Sequence, residues 1–418
     1  MKLFFLALFY FTIAKALPLS TALRLHTDSQ TSLLARLSSI QKVNEHLDIE
    51  AFYLENDRIG RSLLKEILLK KAKKPLLQIR LLLDAWGSQT IDENLACQLK
   101  NSGINIKFFN KKFKIFNQQR THRKIWIADN IAIVGGRNLS EENFSMEKND
   151  SITVLSDWDL EVSGQIVKNI QKSFEQAWNQ ELTQIPDCSN NPNIKNQWIQ
   201  QILNTEGFEF SLKTEKNPEW KKAEVEWFAD PVGTFNERPV SEEVAFLIRT
   251  AKRTVEIENA YFLPIGIIAE ELGNAQKKGL HIAFYINGPS MKYWMARYST
   301  CLPLNELQWW MNMGAQITFT PIERRTHAKS LYTDEEVLAI GSFNFDSRSI
   351  NSNAETLLVI RNSPQLFNEY NIEHHRRINE GFTVKKISQV FEKYNFSEKD
   401  SKQCLDLSNL KPLLKNFF

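Results

Sequence analysis

The chain repeats itself. The segment THRKIWIADNIAIVGGRN carries His122, Lys124, Asp129 and Asn138, and it returns in the second half as THAKSLYTDEEVLAIGSFN with His327, Lys329, Asp334 and Asn344. Each copy is preceded by the same alternation of patterns. DIEAFYL from Asp48, the helical run IGRSLLKEILLKKAKK and the apolar LQIRLLLD ending at Asp84 are matched by VEIENAYFL from Val255, IGIIAEELGNAQKKG and LHIAFYIN ending at Asn287. Short apolar runs alternating with a helical period predict strand, helix, strand, and parallel strands require such crossovers. A third strand is predicted in each half, at Ile104–Phe109 and Gln316–Thr320. The fold class is therefore α/β, built as two similar halves. A Pro- and Asn-rich stretch from Ile185 to about Asn217 places the boundary near residue 200 and divides the chain into 17–200 and 201–418.

Composition narrows the function classes. With 418 residues, 42% of them hydrophobic and 24% charged, a large core is expected. The 52 basic and 49 acidic side chains leave a formal charge of +3, which excludes a strongly basic nucleic-acid binder. Residues 1–16 resemble a secretory leader: Lys2, an apolar run to Ile13, then Ala14-Lys15-Ala16, with an uncleaved membrane anchor as the alternative. That start implies a periplasmic, secreted or envelope-associated protein. Cys97, Cys188, Cys301 and Cys404 lie far apart with no CxxC pair, so four thiols or any of three disulfide pairings are open.

In extended backbone the histidine and lysine of each HxK share a face. Two histidines can divide phosphodiester chemistry, one attacking phosphorus and the other protonating the leaving oxygen and later activating water or an alcohol. Lys124, Lys329, Asn138 and Asn344 would supply donors to the phosphate oxygens, with Gly136 and Ser342 as backbone or hydroxyl contacts to the anion. A carboxylate against the phosphate would repel it, so Asp129 and Asp334 are expected to pair locally with lysine or hold a loop. Each imidazole needs an acceptor on its other nitrogen. Glu355 is the expected partner of His327, and Asp159, with Asp157 as runner-up, the expected partner of His122. One histidine per copy and unclustered carboxylates call for no metal and no cofactor. No G-x-S-x-G elbow is present to suggest a serine hydrolase.

Two HxK(x)4D motifs followed by GGRN and by GSFNFDSRS with NAE identify the chain by resemblance as a member of the phospholipase D superfamily, over residues 22–365. GGRNLSEENF and WDLEVSGQIVKNIQKSFEQAW look like the bacterial cardiolipin synthase and phospholipase D-like branch. The resemblance implies a duplicated α/β/α sandwich with one shared active site, His122 as nucleophile and His327 as general acid, then base. It also implies a phospholipid substrate at a membrane surface, with water or a lipid or polyol alcohol as acceptor and no obligate protein partner. Nucleic acid is the alternative substrate. Two departures stand out: the leader is unusual for a cardiolipin synthase, and Asp129 lies one residue closer to Gly135 than Asp334 does to Gly341. The insertion GPSMKYWMARYSTCLPLNELQWWMNMG offers Trp294, Trp309 and Trp310 as a lipid-binding rim or as ordinary core packing. Exposed rings would favour the rim, and buried rings the core.

Overall fold

Along a strand, alternate side chains leave on opposite faces, and in this chain both faces are apolar. Ile125 and Ile127 enter one core while Trp126 and Ala128 of the same strand enter another. A sheet buried on both faces needs helices on both, which makes three layers. The computed structural model describes residues 19–111, 119–144, 154–189, 197–206, 218–291 and 294–411. The expected leader lies outside these residues.

Among the described residues the main sheet has sixteen strands and runs through both halves without a break. Its centre is the antiparallel pair Leu19–His26 and Lys221–Ala229, with Leu19 opposite Val225 and Leu23 opposite Lys221. Outward from this pair the first half contributes Asp159–Ser163, Ile131–Gly135, Ile125–Ala128, His46–Ala51, Gln78–Asp84, Asn105–Phe109 and Thr183–Gln184. The second half mirrors them with Thr356–Arg361, Val337–Gly341, Lys329–Thr333, Thr254–Asn259, His281–Ile286, Gln316–Phe319 and Phe382–Val384. The strand, helix, strand units expected from the sequence are present as His46–Ala51, Arg58–Lys73 and Gln78–Asp84, and as Thr254–Asn259, Gly266–Lys277 and His281–Ile286.

The two faces of the sheet differ. On one, the helices Gln165–Trp178 and Pro364–Glu380 bury Ile170, Phe174, Leu366 and Tyr370 in a single core spanning both halves. On the other, each half keeps its own core. The short helix Gln197–Leu203 lies just at the boundary expected near residue 200, yet Ile199 and Ile202 pack into the first half's core. Gln98 Oε1 accepts the main-chain N–H groups of Trp198 and Ile199, at 3.1 and 3.2 Å, which ties that helix to the first half. The first half therefore extends through this helix.

The four cysteines form two pairs, Cys97–Cys188 within the first half and Cys301–Cys404 within the second. No helix among the described residues is long and apolar enough to cross a membrane. Each disulfide closes a long loop, of sequence separation 91 and 103. In the chain-entropy account such a closure stabilises by about 4–5 kcal/mol. Replacing Cys97 and Cys188 together by Ala should therefore lower the urea midpoint by a clearly measurable amount, and reductant should do the same to the native chain while leaving the double variant affected only through Cys301–Cys404.

Candidate active site

Each histidine sits just before a strand, where the two halves exchange main-chain hydrogen bonds. His122 N donates to Ala354 O at 2.9 Å, and His327 N donates to Ser156 O at 2.7 Å. The preceding threonines are clamped from within their own halves. Thr121 N donates to Asp84 at 3.1 Å and its hydroxyl to Glu50, while Thr326 N donates to Asn287 at 2.9 Å and its hydroxyl to Glu258 at 2.8 Å. All four acceptors sit at or just past the carboxyl ends of parallel strands, the edge where open α/β sheets assemble sites. Thr121 and Thr326 went unnoticed in the sequence. The visible signal was an acidic residue at the same place in each preceding strand, Glu50 and Glu258.

The imidazoles take their partners from the opposite half. His122 Nδ1 lies 2.9 and 3.0 Å from the two oxygens of Glu355, and His327 Nδ1 lies 2.8 Å from Asp157. This corrects both expected pairings. Glu355 serves His122 rather than His327, and Asp157, not Asp159, serves the other histidine. Asp159 stands two residues further along its strand and is held by Ser32, Arg36 and Arg137 at 2.5, 3.1 and 3.3 Å. The reason is topological: the exchanged main-chain bonds lay each histidine against the strand entrance of the other half.

Gly136 and Ser342 occupy equivalent turns but do not act as the expected anion contacts. A Cβ on Gly136 would fall 2.3 Å from Asp157 Oδ1, so glycine here makes room for that carboxylate. Ser342 is fully buried and its hydroxyl donates to Glu355 at 2.5 Å. Ser349 donates to the other oxygen of Glu355 at 2.6 Å.

Asp129 and Asp334 are loop anchors rather than lysine partners. Asp129 accepts the N–H groups of Asn44, Glu45 and His46 at 2.7, 2.9 and 3.0 Å, and Asp334 those of Lys252, Arg253 and Thr254 at 2.8, 2.7 and 2.9 Å. Both have positive φ, 51° and 57°, a conformation that Asp tolerates because its short side chain bonds locally. The spacing difference is absorbed in these turns. Ala128 pairs with Ile131 across the first, whereas Thr333 pairs with Val337 across the second, at the end of the hairpin away from the histidines.

Lys124 Nζ donates to His122 O at 2.6 Å and Lys329 Nζ to His327 O. Asn138 and Asn344 are buried, their main-chain N–H groups held by Asn143 and Ser349, each at 3.2 Å. The side-chain oxygens of both asparagines have no hydrogen-bond partner, which is costly unless a ligand engages those amides. Trp309 and Trp310 are not part of this cluster. Trp310 is core, edge-on to Phe284 at 5.8 Å, because its helix Leu304–Asn312 covers the sheet. Trp309 lies on the outer side of that helix, 48% exposed. The side chain of Trp294 lies outside the described residues. The aromatic ring beside His122 is Phe52, at 4.9 Å, with Trp86 at 5.9 Å from Phe52.

Burial sets the protonation of the cluster. It drives the Lys124 ammonium down to about 7, with a further push from the charge on Lys329, and Lys329 down to about 8. Burial and both lysines hold His122 well below its ordinary value. The same influences put His327 at about 4, against the raising effect of Asp157. Glu355 is pushed up to about 7 by burial. Groups of each motif thus act on groups of the other, as one site requires. Both histidines present Nδ1 to a carboxylate, which leaves a lone pair on Nε2 when the ring is neutral. Among the described residues no group of three His, Cys, Asp or Glu side chains is placed to hold a metal ion.

A family model described as cardiolipin synthase, PLD-like domain matches residues 37–178 and 244–378, so each match contains one motif. The major cardiolipin synthase ClsA of Bacillus subtilis is 27% identical over 342 residues, covering 79% of this chain and 63% of that protein. A cardiolipin synthase of Oceanobacillus iheyensis is 27% identical over 337 residues, with the same coverage of 79% and 63%. The chain thus spans just under two thirds of the length of these relatives. The crystal structure of a phosphatidylserine synthase from Haemophilus influenzae superimposes with a TM-score of 0.75 over 96% of this chain and 97% of that one, at 15% identity. At that identity the likeness is one of fold.

An anion entering the cluster favours the charged forms of the lysines, so binding and protonation are linked. In the empty protein, two dimethylated lysine resonances should titrate near 7 and 8 instead of near 10.5, and saturating tungstate or vanadate should move both upward by a unit or more. Titration of both near 10.5 without the anion would contradict the burial of the pair.

Proposed function

The chain belongs to the phospholipase D-like family that includes the cardiolipin synthases, and from that premise we propose that it cleaves a glycerophospholipid phosphodiester through a phosphohistidine and passes the phosphatidyl group to an alcohol or to water. The observation that carries this reading is the crossed pairing of His122 with Glu355 and His327 with Asp157, with the buried Lys124 and Lys329 each donating to the main-chain oxygen of its motif's histidine.

In this mechanism His122 Nε2 attacks phosphorus in line with the leaving alkoxide. The P–O bond breaks as a P–N bond forms, and His327 gives its proton to the leaving oxygen. His327 then takes the proton of the incoming hydroxyl, whose oxygen attacks phosphorus and releases His122. Lys124 and Lys329, with the amides of Asn138 and Asn344 turned NH2-inward, would stabilise charge on the non-bridging oxygens. Burial and the lysines hold both histidines below their ordinary value, which suits His122 as a nucleophile, while Asp157 pulls His327 back toward the imidazolium that an acid must be. A phosphate bound between them adds negative charge and favours that proton further.

Phosphatidyl transfer to a second lipid, as in the cardiolipin synthases, is the favoured outcome, and hydrolysis the outcome when water is the acceptor. We also place the protein outside the cytosol, at an envelope or membrane surface. The two disulfides, which persist in oxidising compartments, and the leader-like Ala14-Lys15-Ala16 support this.

Incubation with phosphatidylglycerol, with and without added glycerol, and in parallel with duplex DNA separates the readings. Cardiolipin or phosphatidic acid is expected, and cutting of DNA with both lipids inert would replace the lipid reading. His122→Ala and His327→Ala should each lower turnover by at least about 10³-fold, and label from the phosphoryl group should be trapped on His122. EDTA should leave the rate intact. On the alkaline side, kcat/KM should fall from about pH 7 to 8 as Lys124 and Lys329 lose the charge that binds the phosphate. A flat profile through pH 9 would remove the lysines from that role.

A further inference from the structure

The two halves are built alike, yet one buried layer differs in kind. Gly135 pairs with Asp159 where Gly341 pairs with Leu357, so those two positions are equivalent. Arg137 in GGRN stands where GSFN has Phe343. Ser32 and Arg36 stand at the same offsets before His46 as Val240 and Val244 do before Thr254, the residues anchored by Asp129 and Asp334. The second half therefore fills this layer with Val240, Val244, Phe343 and Leu357, all in its core. The first half fills it with Ser32, Arg36, Arg137 and Asp159, all buried.

The packing requirement is met by the apolar set, so the charged set has another use. Burying charges is expensive, and an apolar replacement of similar shape is often neutral or stabilising. The polar layer is joined through Asp159 Oδ2, which accepts from Ser32, Arg36 and Arg137, while Asp159 Oδ1, Arg36 Nε and Arg137 Nε have no partner among the described residues. The layer has one outward connection to the site: Arg137 donates to the main-chain oxygen of Asp157 at 3.0 Å. Arg377, from the second half, donates to the same oxygen at 3.2 Å while lying 3.8 Å over the Trp158 ring. Asp157 is thus gripped through its backbone, with Trp158 N donating to its carboxylate at 2.8 Å. The other carboxylate is fixed differently. Glu355 takes the hydroxyls of Ser342 and Ser349, and its main-chain N–H donates to Asp230 at 3.1 Å. Gly136 rules out a Ser342-like hydroxyl on the Asp157 side, since its Cβ would strike that carboxylate.

We propose that Ser32, Arg36, Arg137 and Asp159 form a positioning layer that holds Asp157 on His327 and so makes the two halves chemically unequal, with His327 as the histidine that delivers the proton to the leaving group. The proposal rests on the phosphohistidine reading above. None of the four residues is a catalytic residue in this scheme, because each acts through Asp157. A cavity of about 10 Å³ lined by Arg36, Glu50, Lys124 and Arg137 places the layer directly beneath the first lysine as well.

The test replaces the layer by its counterpart, Ser32→Val, Arg36→Val, Arg137→Phe and Asp159→Leu together, with Arg137→Gln as a single variant in the event that the fourfold one fails to fold. Each is compared with the native chain on two soluble diesters, an alkyl glycerophosphodiester, whose leaving group needs a proton, and a 4-nitrophenyl diester, whose leaving group does not. Positioning of the acid predicts that kcat/KM, which covers only the steps through phosphohistidine formation, falls roughly 10- to 100-fold further on the alkyl ester than on the aryl ester, with the urea midpoint not reduced in the fourfold variant. Arg137→Lys, which keeps a donor and a charge, should recover part of the alkyl rate. Equal loss on both esters would make the layer merely structural, and no loss on either would remove it from the reaction. Both results overturn the proposal. Failure of the native chain to turn over phosphatidylglycerol would instead sink the lipid reading, while the alkyl–aryl comparison would still decide the role of the layer.

Discussion

Everything at the candidate site depends on an exchange between halves. Each histidine donates its main-chain N–H across the junction and receives a carboxylate in return, Glu355 for His122 and Asp157 for His327. Neither half is complete alone, because a histidine without its carboxylate loses both its orientation and its fixed tautomer. The exchange is possible because the sheet is continuous. The pairing of Leu19–His26 with Lys221–Ala229 sets the two halves about a pseudo-twofold axis and carries one helix-covered core across it.

Burial then does the electrostatic work. Two lysines and two histidines confined together disfavour their charged forms, so the empty site is poised to gain protons when an anion arrives. The unpartnered atoms of Asn138 and Asn344 are side-chain oxygens, which accept, so these amides serve the same anion only when turned to present NH2. The cost of keeping polar groups in this condition is met by the surrounding sheet, whose aliphatic strands are buried on both faces.

Sequence reasoning succeeded where the signal is local. Strand, helix, strand units follow from the hydrophobic period, and the repeated HxK motif follows from spacing alone. It went astray where a partner comes from elsewhere in the chain. Asp159 looked a better partner for His122 than Asp157, and Glu355 seemed to belong to the histidine of its own half. Side-chain chemistry cannot distinguish these choices, because every carboxylate accepts a hydrogen bond. Trp309 and Trp310 show the same limit. They are adjacent in sequence and alike in type, yet a helix turns one toward the core and the other toward solvent.

By itself the sequence determined a duplicated α/β pattern, since repetition and period are properties of the chain, and by resemblance it pointed to the phospholipase D superfamily and to His122, Lys124, His327 and Lys329 as the proposed reactive set. The tertiary structure alone decided that the carboxylates cross between halves, that Gly136 yields space to Asp157, and that Asp129 and Asp334 brace distant turns. It also decided that a charged layer lies in one half where its twin is apolar. The physical reason is that these are relations between segments far apart in sequence, brought within hydrogen-bond distance only when the two halves close on one another across a shared sheet.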